Sequence, residues 1–238
     1  MYMKYTCMNW DKNSWLSSDK YFNDLNDLLI TKLKINDKFK ILDIGCGRGY
    51  LLNNLSTKIN FKKKLYGVEP VKHKINTNKK LNIFNTSIQE FLKNNTTNYD
   101  IIIMKQVIHL IPSDEREALL HELKKIISVD GKLVIMQMNE KFQLPCFPAM
   151  KKLLTKTLSQ HQIIENELKN LFTIIQKEEY NFNVNLHRNA YISMIEEKFI
   201  SVLSYLSEEE IREGCKYIQS QYPLNISFID KLKINVFG

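Results

Sequence analysis

Glycine is scarce in this chain, with seven residues among 238. Three of the seven stand at alternate positions, Gly45, Gly47 and Gly49, between the segments Ile41–Ile44 and Tyr50–Lys58. The first segment has the apolar composition of a buried strand, and the second is compatible with a helix. Glycine lets a backbone approach a ligand closely, and the N–H groups at the start of a helix point at such a ligand. The pattern predicts a ligand-binding turn between strand and helix.

Cysteine is also rare, and its four residues are widely scattered. No Cys-x-x-Cys pair and no Cys/His grouping has the spacing of a zinc site, so we expect reduced thiols and no bound metal. Small size is the simplest reason for a cysteine inside the glycine turn. The four residues are Cys7, Cys46, Cys146 and Cys215.

Long apolar runs and an apolar leader are missing as well. The strongest apolar stretch, Ile101–Met104, is interrupted by charged residues on both sides and is far shorter than the roughly 20 residues of a membrane helix. The segment Met1–Cys7 has no apolar signal core. We therefore expect a cytoplasmic protein without a membrane anchor.

Basic residues exceed acidic ones, 34 against 26, which gives a formal net charge of +8. Such a charge can attract nucleic acid. However, the densest run, Lys62–Lys64, has only Phe61 and Tyr66 as neighbouring aromatic residues. We interpret the run as a solvated loop, and the sequence does not favour a nucleic-acid partner.

Strand-like and helix-like segments alternate between residues 37 and 140, which predicts a doubly wound, mostly parallel α/β sheet. A capped amphipathic helix, Asp19–Leu33, precedes this core within residues 1–36 and is expected to form a lid. The predicted core strands are Phe39–Ile44, Leu65–Val68, Leu81–Phe84, Tyr99–Met104 and Lys132–Met138. The predicted core helices are Tyr50–Lys58, Lys72–Lys80, Ile88–Lys93 and Ser113–Ser128.

Residues 141–238 are expected to supply helices on the substrate side and the two closing strands of a seven-stranded sheet. The predicted helices are Ala149–Gln176, Ala190–Leu206 and Ser207–Ser220, and the predicted strands are Tyr180–Leu186 and Ile226–Val236. The segment 187–203 is expected to form a late helical cap insertion. No linker or repeat interrupts the chain, so residues 1–238 are predicted to be one domain.

A second acidic residue, Glu69, ends the strand Leu65–Val68 about 20 residues after the glycine turn. At this point of a doubly wound fold a carboxylate accepts hydrogen bonds from both hydroxyls of a ribose. Glu69 by itself does not distinguish S-adenosylmethionine (SAM) from a nicotinamide dinucleotide. The spacing Gly-x-Gly-x-Gly, rather than Gly-x-Gly-x-x-Gly, favours SAM.

The segment from Asp43 to Gly49 resembles motif I of the class I (Rossmann-like) SAM-dependent methyltransferases. The run Tyr99–Leu110 resembles their motif IV in the small-molecule, type 11/12-like branch. Together with Glu69, the resemblance covers residues 41–138. It implies SAM as methyl donor, S-adenosylhomocysteine (SAH) as product and no metal.

The resemblance also implies a set of cofactor-binding residues. They are Asp43, Gly45, Cys46, Gly47, Gly49, Glu69, Pro70, Ser87, Ile88, Lys105 and Gln106. The chain departs from the family at Ser87, where an acidic residue often meets the adenine amino group. Adenine recognition by the Ser87 hydroxyl, by Gln89 or by a backbone N–H therefore stays open.

The end of motif IV places Lys105 and His109 where substrate chemistry occurs in the family, and both are candidate catalytic residues. His109 is interpreted either as a general base or as a residue bonded to backbone, since transfer from a sulfonium needs little beyond alignment and desolvation. Candidate substrate-binding residues are Trp15, His109, Arg188 and Tyr191, each with a purely structural role as the alternative.

The sequence lacks the Asn/Asp-Pro-Pro-Tyr/Phe motif that binds the amino groups of bases or glutamine. We therefore expect methyl transfer to oxygen, nitrogen or sulfur of a small-molecule acceptor, by a monomer or homodimer. The alternatives are an RNA or protein methyltransferase, a nicotinamide-dependent oxidoreductase and a SAM-binding protein without activity.

Overall fold

The computed structural model describes residues 14–72 and 78–238. It contains one seven-stranded sheet of order β3-β2-β1-β4-β5-β7-β6, in which β7 is antiparallel to its neighbours β5 and β6. The predicted α/β class with a mostly parallel, doubly wound sheet is confirmed. The strands are β1 (Ile41–Ile44), β2 (Leu65–Val68), β3 (Leu81–Phe84), β4 (Tyr99–Lys105), β5 (Ile127–Met138), β6 (Ile174–His187) and β7 (Asn225–Phe237).

Seven α-helices are present in the described ranges, and short 3₁₀ turns lie at 15–17, 108–110 and 201–205. None of the helices in these ranges is long and apolar enough to cross a membrane. The helices are α1 (Asp19–Leu33), α2 (Tyr50–Lys58), α3 (Ile88–Asn94), α4 (Ser113–Ile126), α5 (Pro148–Lys169), α6 (Arg188–Glu196) and α7 (Glu208–Gln221).

The central strands are apolar at successive positions because both faces of the sheet are covered. On one face, Ile101 and Ile103 join the core that includes α1, α2 and the cap helices. On the other face, Ile102 and Met104 join the core of α3, α4 and the end of α5. This double coverage leaves the carboxyl edge of the parallel strands as the place where a ligand can reach the backbone.

The strands β6 and β7 form a ribbon that continues past the sheet edge. The β5–β7 pairing ends at Met138 and Leu232, whereas β6 and β7 stay paired as far as His187 and Asn225. The seven further residues of β6 extend the ribbon by about 23 Å at the usual rise of a strand. Its inner face is buried at alternate positions, as the sequence pattern predicted.

Two predicted boundaries in this region are wrong. The long helix ends at Lys169 rather than Gln176, and β6 begins at Ile174 rather than Tyr180. The chain leaves the helix early because the backbone N–H and C=O of Thr173 pair with Gly238, which draws the segment into the sheet beside β7. A tertiary pairing thus overrides the helical pattern.

Three other predictions differ from the structure. Helix α4 stops at Ile126, and β5 includes the Asp130 turn, where φ is +65°. The predicted helix 190–206 is interrupted after Glu196 by Lys198, whose φ of +54° is incompatible with a continuing helix. Of the predicted helix Lys72–Lys80, residues 73–77 lie outside the described ranges and residues 78–80 are not helical.

The two helices on the second face, α4 and α5, are joined by an ion pair. The guanidinium of Arg116 donates from Nε and a terminal nitrogen to the carboxylate of Glu167, at 2.7 and 3.0 Å, and from its other terminal nitrogen to the carbonyl of Ile111. The side chain of Arg116 is only 9% exposed and that of Glu167 is 29% exposed. Removal of either partner would leave the charge of the other with little access to solvent.

We expect Arg116→Ala to lower the free energy of unfolding by about 2–4 kcal/mol, since breaking a mostly buried ion pair is costly even after allowance for the partial exposure of Glu167. Urea unfolding measures the change. Arg212→Ala is the matched control, because Arg212 and its partner Glu209 are both more than half exposed. The control should change stability by less than about 0.5 kcal/mol, and equal losses in the two variants would contradict the expectation.

Candidate functional site

The glycine turn follows β1 at the carboxyl edge of the sheet. The backbone N–H groups of Gly45 and Cys46 both donate to the carbonyl of Val68 at the end of β2, at 2.8 and 3.2 Å. Gly45, Gly47 and Gly49 all have positive φ, at 72°, 54° and 76°. A Cβ added to Gly47 would meet no atom of the described residues within 4 Å. The turn therefore exposes open backbone at Gly47, with left-handed geometry that other residues adopt at a cost.

Neighbouring side chains close the rest of the turn. A Cβ at Gly45 would overlap the side chain of Val107, and a Cβ at Gly49 would lie 2.6 Å from Cδ1 of Ile83. Cys46 occupies the space above Gly67, where a Cβ would come within 2.6 Å of its sulfur. Burial raises the pKa of the Cys46 thiol, so it stays protonated. These contacts support the expectation that Cys46 is present for its small size.

Glu69 connects β2 to the glycine turn. Its Oε2 accepts from the backbone N–H of Gly47 at 3.0 Å, and its Oε1 accepts from the N–H of Val71 at 2.9 Å. A carboxylate has about four lone-pair positions, so Glu69 can accept several hydrogen bonds at once. Pro70 stands between Glu69 and Val71 in this loop. The structure thus brings the two predicted cofactor elements, Gly47 and Glu69, into direct contact.

Asp43 is 3% exposed on β1, and its Oδ1 has no hydrogen-bond partner among the described residues. Burial raises the pKa of this carboxyl to about 7, although the positive charge of Lys105 opposes the shift. The negative charge of Glu69 adds to it. A buried carboxyl without a full set of partners favours a proton or another positive charge beside it.

Lys105 and Gln106 end β4 next to the glycine turn. The ammonium of Lys105 lies 5.2 Å from the ring centroid of Tyr21 and 5.7 Å from that of Phe22, both on α1. Gln106 has φ of +58°, its N–H donates to Met136, and its Oε1 accepts from the N–H of Met138. Cation–π contact between Lys105 and the two rings joins the predicted lid helix to the site.

His109 lies in the 3₁₀ turn after β4, opposite His161 on α5. The two ring centroids are 6.2 Å apart, and Nδ1 of His109 is buried without a partner in the described part of the chain. Burial, together with the charges of His161 and Arg116, lowers the pKa of His109 to about 4. Its imidazole is neutral at physiological pH and keeps a lone pair that can accept a proton. The sequence did not single out His161.

The adenine side of the predicted site begins at α3. The hydroxyl of Ser87 caps this helix by accepting from the N–H of Glu90 at 3.2 Å, and Ile88 is buried. The amide of Gln89 donates to Glu115 on α4. Of the three groups left open for adenine, the Gln89 amide is thus engaged elsewhere and the Ser87 hydroxyl keeps its donor free.

Three of the predicted substrate residues lie on or against α6, whereas His109 lies apart from them in the turn after β4. Trp15 and Tyr191 pack together with ring centroids 6.5 Å apart, and the indole Nε1 of Trp15 donates to Asp230 at 2.9 Å. The hydroxyl of Tyr191 donates to the carbonyl of Pro145 and has no exposure to solvent. Arg188 lies at the far end of the β6–β7 ribbon, where it donates to the carbonyl of Tyr222.

Asp230 is the residue of this region that the sequence reasoning missed. It occupies an inward-facing position of β7, where the alternating pattern from Ile226 to Leu232 otherwise places apolar side chains. An acidic residue on the buried face of an amphipathic strand is an available signal, since such groups are costly without a partner.

The fold and this edge of the sheet define a class I SAM-dependent methyltransferase. The chain matches the family described as "Methyltransferase domain" over residues 18–207. This match covers most of the chain, and the protein belongs to that methyltransferase family. No curated protein matches the chain at a significant level.

Solved structures of methyltransferases and related enzymes share the fold. A methyltransferase from an antibiotic biosynthesis pathway of Anabaena variabilis has a TM-score of 0.62 at 15% identity, with 89% of this chain and 96% of that one covered. The cyclopropane synthase MmaA2 of Mycobacterium tuberculosis has a TM-score of 0.54 at 15% identity, covering 90% and 83%. The plantazolicin methyltransferase BpumL, in complex with SAH and a substrate analog, has a TM-score of 0.50 at 16% identity, covering 96% and 87%.

The pKa of Asp43 predicts a pH dependence of stability. Its pKa in the folded protein is raised from 3.8 to about 7, so the stability that it contributes is complete below the unfolded pKa and is lost as pH rises through about 7. Asp43→Asn cannot titrate. We expect the parent's stability relative to this variant to fall between pH 4 and pH 7 and then to level off, as measured by urea unfolding.

The control for this experiment is Asp37→Asn, because Asp37 is exposed and pairs with Lys62 on the surface. A stability difference between the parent and Asp43→Asn that stays constant over the same pH range would contradict the expectation. A rise in the parent's stability relative to Asp43→Asn as the pH increases would also contradict it.

Proposed function

We propose that this protein binds SAM against the glycine turn and transfers its methyl group to a small-molecule acceptor. The observation that carries the proposal is the hydrogen bond from Gly47 N–H to Glu69, beside backbone that is open on its other side. A ribose and a methionine moiety need adjoining polar and open surfaces, and these two elements supply them.

The residues present fit the donor. The orphaned Oδ1 of Asp43 is a buried acceptor beside the turn, and a cationic donor would compensate its charge. In the proposed site, the ribose lies along Glu69 and Pro70. The methionine part lies along the glycine turn, the end of β1 and the end of β4, that is, Asp43, Gly45, Cys46, Gly47, Gly49, Lys105 and Gln106. Ser87 and Ile88 lie along the adenine.

When bound, SAM supplies a methyl group on a positively charged sulfur. The contribution of the chain is to hold the acceptor in line with that methyl group and to exclude water. Lys105 and His109 flank the place where the acceptor would meet it. The neutral imidazole of His109 can take a proton from an acidic acceptor atom, whereas a more nucleophilic acceptor needs no base.

A small acceptor is supported by the way α1 and the β6–β7 ribbon cover the carboxyl edge. Tyr180 of β6 donates to the backbone of Tyr21 on α1, so lid and ribbon are connected above the sheet. The exposed run Lys62–Lys64 precedes β2 and therefore lies at the opposite edge. The densest basic run is therefore remote from the place where an acceptor would meet the methyl group. The plantazolicin methyltransferase BpumL, a fold neighbour, holds a monoazolic desmethylPZN analog together with SAH.

Gly47→Ala tests the placement of the donor. A Cβ here meets no protein atom but would enter the space proposed for SAM, so we expect affinity for SAH to fall by about tenfold or more. The loss of folding stability should stay near the cost of a left-handed residue, about 1–2 kcal/mol. Isothermal titration calorimetry and urea unfolding measure the two effects.

Gly49→Ala is the matched comparison, because its added Cβ would collide with Ile83 and should cost more stability than the change at Gly47. If Gly47→Ala bound SAH as tightly as the parent, the proposed position of the donor would be wrong.

Glu69 gives a second test. Glu69→Ala removes the acceptor for both Gly47 N–H and a ribose, so we expect SAH binding to weaken by about 1–3 kcal/mol. Glu69→Gln keeps one carbonyl oxygen and should lose less. Calorimetry with SAH measures both variants, and Glu90→Ala is the control because Glu90 is exposed and pairs only with nearby Lys93 and the start of α3. Unchanged affinity in Glu69→Ala would remove this residue from the proposed site.

A further inference from the structure

Two ionisable side chains at the carboxyl edge lie on the same face of the sheet. Asp43 on β1 is paired with Ile103 on β4, and Lys105 follows Ile103 by two residues. Because side chains alternate along a strand, Lys105 and Asp43 project to the same side. This is the side that α1 covers.

A third ionisable group, Asp230 on β7, belongs to the same face. Lys105 is paired with Met136 on β5, and Met136 is paired with Ile234 on β7. Asp230 precedes Ile234 by four residues, an even step that preserves the face. Since β7 is the third strand from β1, Asp230 lies about 14 Å from β1 across the sheet, on the far side of Lys105, and is displaced along the strand direction as well.

Lys105 itself places an ammonium group on this face of the sheet, between the two carboxyls. Burial raises the pKa of both carboxyls, and the positive charge of Lys105 opposes the shift at each of them. The ring faces of Tyr21 and Phe22 lie within 6 Å of its nitrogen. Aromatic faces and carboxylates together attract cations and repel anions.

The region near Asp230 contains a buried hydroxyl that has no partner among the described residues. Tyr21 has no solvent exposure, and its OH group makes no hydrogen bond to any described residue. The ring of Tyr21 lies 5.2 Å from that of Phe182, which is the partner of Asp230 across β6 and β7. Burial raises the pKa of Tyr21, and the charge of Asp230 adds to the shift. Oδ2 of Asp230 is held by the indole N–H of Trp15. A hydroxyl left without a partner is costly in a core, and a ligand can supply the missing hydrogen bond.

We propose that Asp230 and the hydroxyl of Tyr21 bind an ammonium group of the methyl acceptor, so that the acceptor is an amine-bearing small molecule. This inference rests on the proposed function, since it assigns the acceptor's end of the same site. Asp230 accepts from the ammonium, the oxygen of Tyr21 accepts a second of its hydrogens, and the ring face favours its charge. Lys105 then separates this subsite from the donor's end at Asp43.

The test uses the full-length protein saturated with SAH and three probes that share a phenyl ring and a two-carbon chain: 2-phenylethylamine, phenylacetate and 2-phenylethanol. Calorimetry and thermal shift report binding. We expect the amine to bind about tenfold or more tightly than the carboxylate and the alcohol, the scale of a hydrogen-bonded charge. Asp230→Asn should abolish this preference, and Tyr21→Phe should weaken it.

Asn at position 230 keeps an oxygen for the Trp15 indole, so the variant preserves the packing contact. Asp37→Asn, an exposed acid, is the control and should retain the preference for the amine. Circular dichroism and SAH binding are recorded for each variant, and Tyr21→Phe decides the matter if Asp230→Asn does not fold. Failure of the parent to bind SAH would overturn the proposed function. Normal SAH binding with no preference for the amine, or with the same preference in both Asp230→Asn and Tyr21→Phe, would overturn only the acceptor assignment.

Discussion

The site depends on a close approach between the turn after β1 and the strands on either side of it. Val107, beyond β4, lies against Gly45, and Ile83 of β3 lies against Gly49, so neither position has room for a side chain. Gly47, between them, faces open space. Packing from both sides therefore fixes the path of the turn, and it leaves a single stretch of bare backbone directed away from the core. The strand order, with β1 between β2 and β4, is what makes this arrangement possible.

Around this backbone several buried polar atoms lack hydrogen-bond partners, which lowers the stability of the fold. Oδ1 of Asp43, the hydroxyl of Tyr21 and Nδ1 of His109 are buried without partners in the described ranges. Other buried polar atoms of the described ranges also lack a partner, among them Oδ1 of Asn26, Nε2 of Gln137 and Oδ1 of Asn235, whereas Arg116 bonds to both Glu167 and Ile111. Departures from local consistency concentrate where a protein meets its ligands. The orphaned atoms of Asp43, Tyr21 and His109 all belong to elements that end at the carboxyl edge of the sheet or cover it.

The core strands and the glycine turn were predictable because their signals are local. A strand covered on both faces is apolar throughout, and the turn needs glycine at fixed positions. The start of β6 was not predictable, since the pairing of Thr173 with Gly238 joins residues distant in sequence. The contact of Glu69 with Gly47 refined a prediction that had treated the two as separate contacts to the ligand. Asp230 required the register of β5 with β7 to place it beside Lys105.

At the carboxyl edge, the two faces of the sheet differ in the charge that they can accommodate. On the face covered by α1, two buried carboxyls share the positive charge of Lys105, so a further cation is stabilised there. Near α4 and α5, burial and the charge of Arg116 keep His109 neutral, and the pKa of His161 is lowered as well. A proton taken up by His109 would be repelled by the charge of Arg116, so His109 would release it readily to solvent or to another base. This asymmetry separates recognition of charge by Asp43 and Asp230 from any proton transfer by His109, so the two roles can be altered independently.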